Sequence, residues 1–153
     1  MILFDANVLV HAHAAQSPFH AVARRLCEQA ADGTLGACLN PQVLCEFFAV
    51  ATNERLFRPA MTPKQAGQQI AVYWRSGFQK ILPKEQTIRR VADLLQRHRI
   101  TQQRVYDTFL VATMLDNDVR AIYTQNVKDF EIYREIQVLN PFSGRLAASE
   151  TPS

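Results

Sequence analysis

Residues 1–10 read MILFDANVLV. Met1 to Phe4 is an apolar, β-prone run without helical period, and it predicts a short buried strand. That strand runs into Asp5, with Asn7 two residues on. A buried carboxylate costs several kcal/mol unless it is paired or binds a metal. The rest of the chain is therefore read for partners of Asp5.

Working outward, residues 19–31 repeat apolar side chains at three and four, from Phe19 through Val22, Ala23, Leu26 and Cys27 to Ala30. This is an amphipathic helix, closed by Asp32-Gly33. A second strand is expected at 35–39. Asn40-Pro41 then starts a helix, an N-capping side chain followed by proline at the first helical position. Arg55 to Met61 reads as a loop. Thr62 and Gln65 have the spacing of a capping box, and they open a helix to about Arg75 that Gly77 ends. A third strand is expected at 79–82. A helix over 84–98 should turn Ile88, Val91, Leu94 and Leu95 inward. Another runs from about Tyr106 to Asn117. Strands at 119–124 and 136–139 flank a helical turn.

Strands alternating with helices predict a three-layer α/β/α sandwich around a mostly parallel sheet. There is no internal repeat and no linker, so one domain is expected over residues 1–142. The segment 143–153, SGRLAASETPS, has no apolar period and reads as a disordered tail.

The chain has 153 residues, 48% of them hydrophobic and 20% charged. That suits a single globular domain with a core of its own. No apolar run approaches the roughly 18 residues that span a bilayer. The N-terminus lacks the basic start and cleavage motif of a signal peptide, so a cytoplasmic protein is expected. Cys27, Cys38 and Cys45 have no CxxC spacing, which argues against a zinc knuckle or a disulfide framework. They are expected in the core. The net charge is +3, yet residues 84–104 hold six basic residues against two acidic ones. Such a stretch is either a solvated helix face or a phosphate-attracting patch.

In parallel sheets ligands bind beyond the C-terminal strand ends, near the point where strand order reverses. Four acids are expected there. Asp5 ends the first strand. Glu46 lies two turns into the helix after the second, in NPQVLCEFF. Asp107 opens a helix, in RVYDTFLVATM. Asp129 follows the strand AIYT, in TQNVKDF. Each has a plainer alternative: Asp107 as a helix cap, Glu46 paired with an arginine, Asp129 as a turn residue. If they converge, their repulsion calls for a hard divalent cation, and Mg²⁺ prefers oxygen ligands. His11 and His13 offer only a weak metal pattern. His20 and His98 read as helix surface.

These motifs, in this order, resemble the PIN domain, and most closely its VapC-type toxins. The resemblance covers roughly residues 1–142. It implies a Mg²⁺- or Mn²⁺-dependent ribonuclease whose core acids are Asp5, Glu46 and Asp107. Many members carry a fourth acid where Asn126 stands here; the TxNxxDF ending offers Asp129 in its place, with Asn126 as a neutral ligand or substrate contact. Asn7 and Thr124 would orient the acids, although Asn7 also suits a plain turn after a strand. Arg104 and Lys128 would place an RNA backbone. The family further implies a homodimer and a cognate antitoxin. Two other readings compete. One is a catalytically silent PIN-fold module that binds RNA or protein. The other is a haloacid-dehalogenase-type phosphatase, which wants an acid where Asn7 stands.

Overall fold

The computed structural model describes residues 1–143. Apart from Ser143, the predicted tail lies outside the described residues. Strand β1 (Ile2–Phe4) leads into α1 (Ala6–His13) and α2 (His20–Ala31). Then come β2 (Ala37–Leu39), α3 (Pro41–Ala51), α4 (Pro63–Arg75), β3 (Gln79–Lys80) and α5 (Thr87–Arg97). A 3-10 turn (Gln102–Arg104) opens α6 (Val105–Asp116). The chain continues through β4 (Ala121–Tyr123), α7 (Val127–Phe130) and β5 (Gln137–Leu139).

The five strands form one sheet in the order β3-β2-β1-β4-β5. Every pairing is parallel: Leu3 stands opposite Cys38 on one side and Ile122 on the other. The strand order steps outward from β1 to β3, then jumps back to β4. Right-handed crossovers in opposite directions place their helices on opposite faces of the sheet. The helix contacts agree. Helix α1 packs on α2 and α3, and α3 on α4, while α5 packs on α6. The reversal falls between β1 and β4.

Leu3, Phe4, Cys38, Leu39 and Ile122 form the sheet's part of the core, and all are fully buried. The Phe4 ring meets Phe78 edge-on at 5.2 Å. Asn40 caps α3 through Val43 N–H, and Thr62 with Gln65 makes the full capping box of α4. At Gly77 a Cβ would collide with the Ala31 carbonyl, which accepts the Gly77 N–H at 3.0 Å. Only glycine allows that approach.

Several expectations need correction. Helix α1 was not predicted. Val8 and Val10 gave the segment a strand-like composition, but Asp5 accepts the Ala6 N–H at 2.8 Å and starts a helix. The third strand is two residues long. Helix α5 begins at Thr87, not at Lys84; its inner face runs Thr87, Val91, Leu94, and Ile88 is 67% exposed. Cys27 and Cys38 are buried as expected, whereas Cys45 is exposed. His98 is not a surface residue: it is half-buried, bonds Glu135 at 3.1 Å and stands edge-on to Tyr133. His20 is also half-buried and bonds the His11 carbonyl.

Candidate active site

Asp5, Glu46, Asp107 and Asp129 line one recess of about 370 Å³ at the C-terminal edge of the sheet. Each arrives on a different element. Asp5 sits between β1 and α1, Glu46 on the second turn of α3, Asp107 in the first turn of α6, and Asp129 in α7. Asn7 and Asn126 also line the recess, with Val10, Val50 and Phe130 as its apolar wall. A larger cleft of about 700 Å³ lies at the end of α5. Chemistry rather than size singles out the acidic recess, because it alone gathers four carboxylates.

Asp5 is buried with no cation on it. Its Oδ1 accepts the Ala6 N–H. Its Oδ2 accepts the Thr124 hydroxyl at 2.7 Å and the Asn7 amide at 3.1 Å. Thr124, itself fully buried, accepts from Asn7 Nδ2 and from the Asn126 N–H. Asn7 Oδ1 in turn accepts the Gln125 N–H at 3.0 Å. These bonds tie the end of β1 to the loop after β4. They fix the direction of Asp5 and the position of Asn126. Asn7 therefore bonds the acid as well as the loop after β4.

Among the described residues Glu46 has no arginine partner. It takes a long 3.4 Å hydrogen bond from Gln42, whose amide also donates to the Tyr106 carbonyl at 2.9 Å. Gln42 thus links α3 to the residue just before Asp107. The sequence reading missed it; the i, i+4 spacing of Gln42 and Glu46 was the available signal. Asp107 makes no capping bond, since α6 already starts at Val105.

Burial lifts the carboxyl pKa of Asp5, Glu46 and Asp107, and mutual repulsion adds to it. For Asp5 the hydrogen bonds from Thr124, Ala6 and Asn7 oppose the rise, while the Asp129 charge adds to it. Glu46 is raised by burial and then by the charge of Asp5. Asp107 is pushed up to about 6 by burial and by the charges of Asp129 and Asp5, against the pull of Arg104. Removing charge in this way is what converging carboxylates do when nothing neutralises them.

The donor set fits a hard divalent cation. The polar lining is carboxylate and carboxamide, and neither histidine nor cysteine faces the recess. His11 spends its ring nitrogens on Gln125 and Ser17, and His13 bonds Tyr73. Neither stands with the acids, which corrects the weak histidine pattern. Among the described residues no three such side chains are gathered into a ready-made cage. An open acidic recess of this kind suits an ion that keeps several waters and takes few protein ligands. Lys128 is exposed on α7 and does not line the recess. Arg104 is also outside the lining, but its charge reaches Asp107.

Comparison with known proteins agrees with this geometry. The PIN domain family model matches residues 2–136.

The chain belongs to the PIN domain family.

This PIN domain is 28% identical over 146 residues to VapC ribonuclease Mb2897 of Mycobacterium bovis, covering 95% of the chain and 98% of that protein. Among solved structures it resembles VapC20 of Mycobacterium tuberculosis, a toxin that cleaves the sarcin-ricin loop. The TM-score is 0.64 at 16% identity, over 90% of this chain and 99% of that one. It also resembles a toxin-antitoxin complex from Klebsiella pneumoniae, with a TM-score of 0.61 at 17% identity, covering 93% and 98%. These structural likenesses speak for the fold, and the phosphatase reading loses its fold with them. No described helix of this PIN domain is long and apolar enough to cross a membrane.

Proposed function

We propose that this chain is a Mg²⁺- or Mn²⁺-dependent endoribonuclease and the toxin of a toxin–antitoxin pair. The observation that carries the reading is the convergence of Asp5, Glu46, Asp107 and Asp129 on one recess from four separate elements. The ribonuclease relative that matches almost end to end supports it.

In this reading Asp5, Glu46, Asp107 and Asp129 hold the metal, and Asn126 contributes a neutral oxygen or contacts the substrate. When bound, the ion neutralises charge on a scissile phosphate and acidifies water for in-line attack. The protein's part is to hold the acids aimed into one recess. Thr124 and Asn7 keep Asp5 in one rotamer, and Gln42 sets the spacing of α3 against α6. Arg104 is placed to meet the RNA backbone beside Asp107, with Lys128 contributing attraction from a distance.

The partners in this reading are an RNA substrate, a cognate antitoxin and a second copy of the chain. The antitoxin is supported by the fold's likeness to a toxin-antitoxin complex. The second copy of the chain is carried by the family alone. A single domain over 1–142, in the cytoplasm, completes the proposal.

The decisive experiment is Asp5→Asn. Asparagine keeps the shape and the acceptor for Ala6 N–H but removes the charge. Mg²⁺-dependent RNA cleavage should vanish while the circular dichroism spectrum stays that of the native chain. A cleaving Asp5→Asn protein overturns the assignment.

A further inference from the structure

The large cleft at the end of α5 shares no lining residue with the acidic recess, yet its walls are close in sequence to two of the acids. One wall of the cleft runs from Glu131 to Glu135, directly after α7, which carries Asp129. The other wall is Arg97 to Arg99, just before the 3-10 turn that leads to Arg104 and Asp107. Tyr133, between Ile132 and Arg134 of the cleft, is buried, its hydroxyl bonds Thr108 beside Asp107 at 2.7 Å, and the charges of Arg104 and Asp107 both reach it. This contact ties the cleft wall to the start of α6, where Arg104 stands.

The cations of the cleft are not equivalent. Arg97 is held by Glu135 at 2.8 Å, and His98 bonds the same carboxylate. Arg99 and Arg134 are exposed, and neither side chain has an ion pair or hydrogen bond among the described residues. Arg99 is also one of three non-glycine residues with positive φ, at 53°. Position 99 follows the helix end, where glycine is the usual choice. Glu131 is the single unpaired acid of the cleft. Half-buried Ile132 gives the cleft an apolar side against which a base can pack. Two free guanidiniums over a concave, partly apolar floor suit a phosphodiester and its base better than they suit a small anion alone.

We propose that this cleft seats the RNA strand on one side of the cleavage point, with Arg99 and Arg134 gripping backbone phosphates beyond Arg104. The inference rests on the ribonuclease reading and extends it to the path of the substrate. The acids act on one phosphate; Arg104, Arg99 and Arg134 hold those that follow.

The test uses the full chain carrying Asp5→Asn, so that RNA is bound and not cut. Binding of a fluorescein-labelled, mixed-sequence single-stranded RNA is followed by anisotropy through a salt series with Mg²⁺ present. Adding Arg99→Asn with Arg134→Gln should weaken binding about tenfold and flatten the salt slope by about 1.4, since each single-strand phosphate contact contributes roughly 0.7. Asparagine tolerates the left-handed backbone at position 99, so the fold is kept. Lys64→Gln with Arg75→Gln on α4 removes the same charge elsewhere and should shift affinity less than twofold. Equal loss in that control, or unchanged affinity and slope in the arginine pair, overturns the cleft. Cleavage by the native chain is measured alongside. Cleavage with an unaffected arginine pair sinks the cleft and leaves the ribonuclease standing. Binding through the cleft without cleavage sinks the ribonuclease alone, and no binding at all sinks both.

Discussion

Thr124 donates its hydroxyl to Asp5 Oδ2 at 2.7 Å, across 119 positions of sequence. The bond joins the ends of β1 and β4 where the strand order reverses. It also lets Thr124 accept from Asn7 and from the Asn126 backbone, so one buried hydroxyl organises three neighbours of the recess.

Thr124→Val keeps the shape and removes this hydroxyl. Asp5 then loses a donor, and two N–H groups lose an acceptor. Groups that orient metal ligands typically change metal affinity by 10- to 100-fold. Mn²⁺ affinity measured by calorimetry should fall by about that factor. Stability should fall by about 1–3 kcal/mol, the usual cost of leaving buried polar groups unpaired. An unchanged Mn²⁺ affinity would show that Asp5 does not need this bond.

Asp107→Asn should stabilise the metal-free protein at neutral pH. The carboxyl of Asp107 is raised to about 6. A raised acid favours the fold progressively as pH drops through 6 toward its unfolded value, and opposes it above. The variant should therefore exceed the native chain by about 1 kcal/mol at pH 7, once solvent screening of a half-buried group is allowed for. The advantage should disappear near pH 4. Mg²⁺ should raise the native Tm at pH 7 and have less effect on the variant. Thermal melts with and without Mg²⁺ at the two pH values check both signs.

Asp116 has the opposite sign. Burial raises its pKa, but hydrogen bonds from Thr87 and Arg90, and the charges of Arg90 and Lys84, outweigh this and hold it below the usual carboxylate range. Its contribution is present above the unfolded carboxylate pKa and is lost as pH falls through the folded one. Asp116→Asn should cost about 1 kcal/mol at pH 7, given the exposure of Arg90. The gap to the native chain should close in acid. Urea unfolding at pH 7 and pH 3 measures it.

Gly77→Ala should destabilise the fold without touching the site. The added methyl meets backbone of α2, which cannot swing aside as a side chain would. A loss of about 1–3 kcal/mol is expected, the range for overpacking. Urea midpoints check it, and Mn²⁺ affinity should be retained.

The sequence was informative where a local rule and the tertiary outcome agree. Asn40-Pro41 and Thr62 with Gln65 are self-contained capping signals, and both helices start where these residues stand. The alternation of elements was enough for the parallel sandwich. The reading failed where short segments are decided by neighbours. Helix α1 is only eight residues long and carries β-prone Val8 and Val10, so it gave no clear helical signal after the strand. Ile88 looked inward because its spacing from Val91 and Leu95 fits a helical stripe, yet the buried face is centred on Thr87, Val91 and Leu94, which leaves Ile88 at its edge. Asp5 was legible as the charged end of a buried strand, and Glu46 and Asp107 as acids in apolar company, whereas Asp129 was read from its place after a strand and from the family resemblance. Gln42 was not, because its role depends on a carbonyl 64 positions away. The cleft at the end of α5 escaped too, since only the fold shows which arginines already have partners.

The central place of β1 has a consequence for synthesis. Strand β1 precedes the other four in the chain yet is the middle of the finished sheet, and one of its flanks stays open until β4 emerges. Asp5 waits for Thr124 throughout that interval, and Asp107 and Asp129 also come late. A nascent or prematurely terminated chain thus lacks the assembled acids. In a cell that makes such a nuclease, broken messages and stalled translation yield inert fragments.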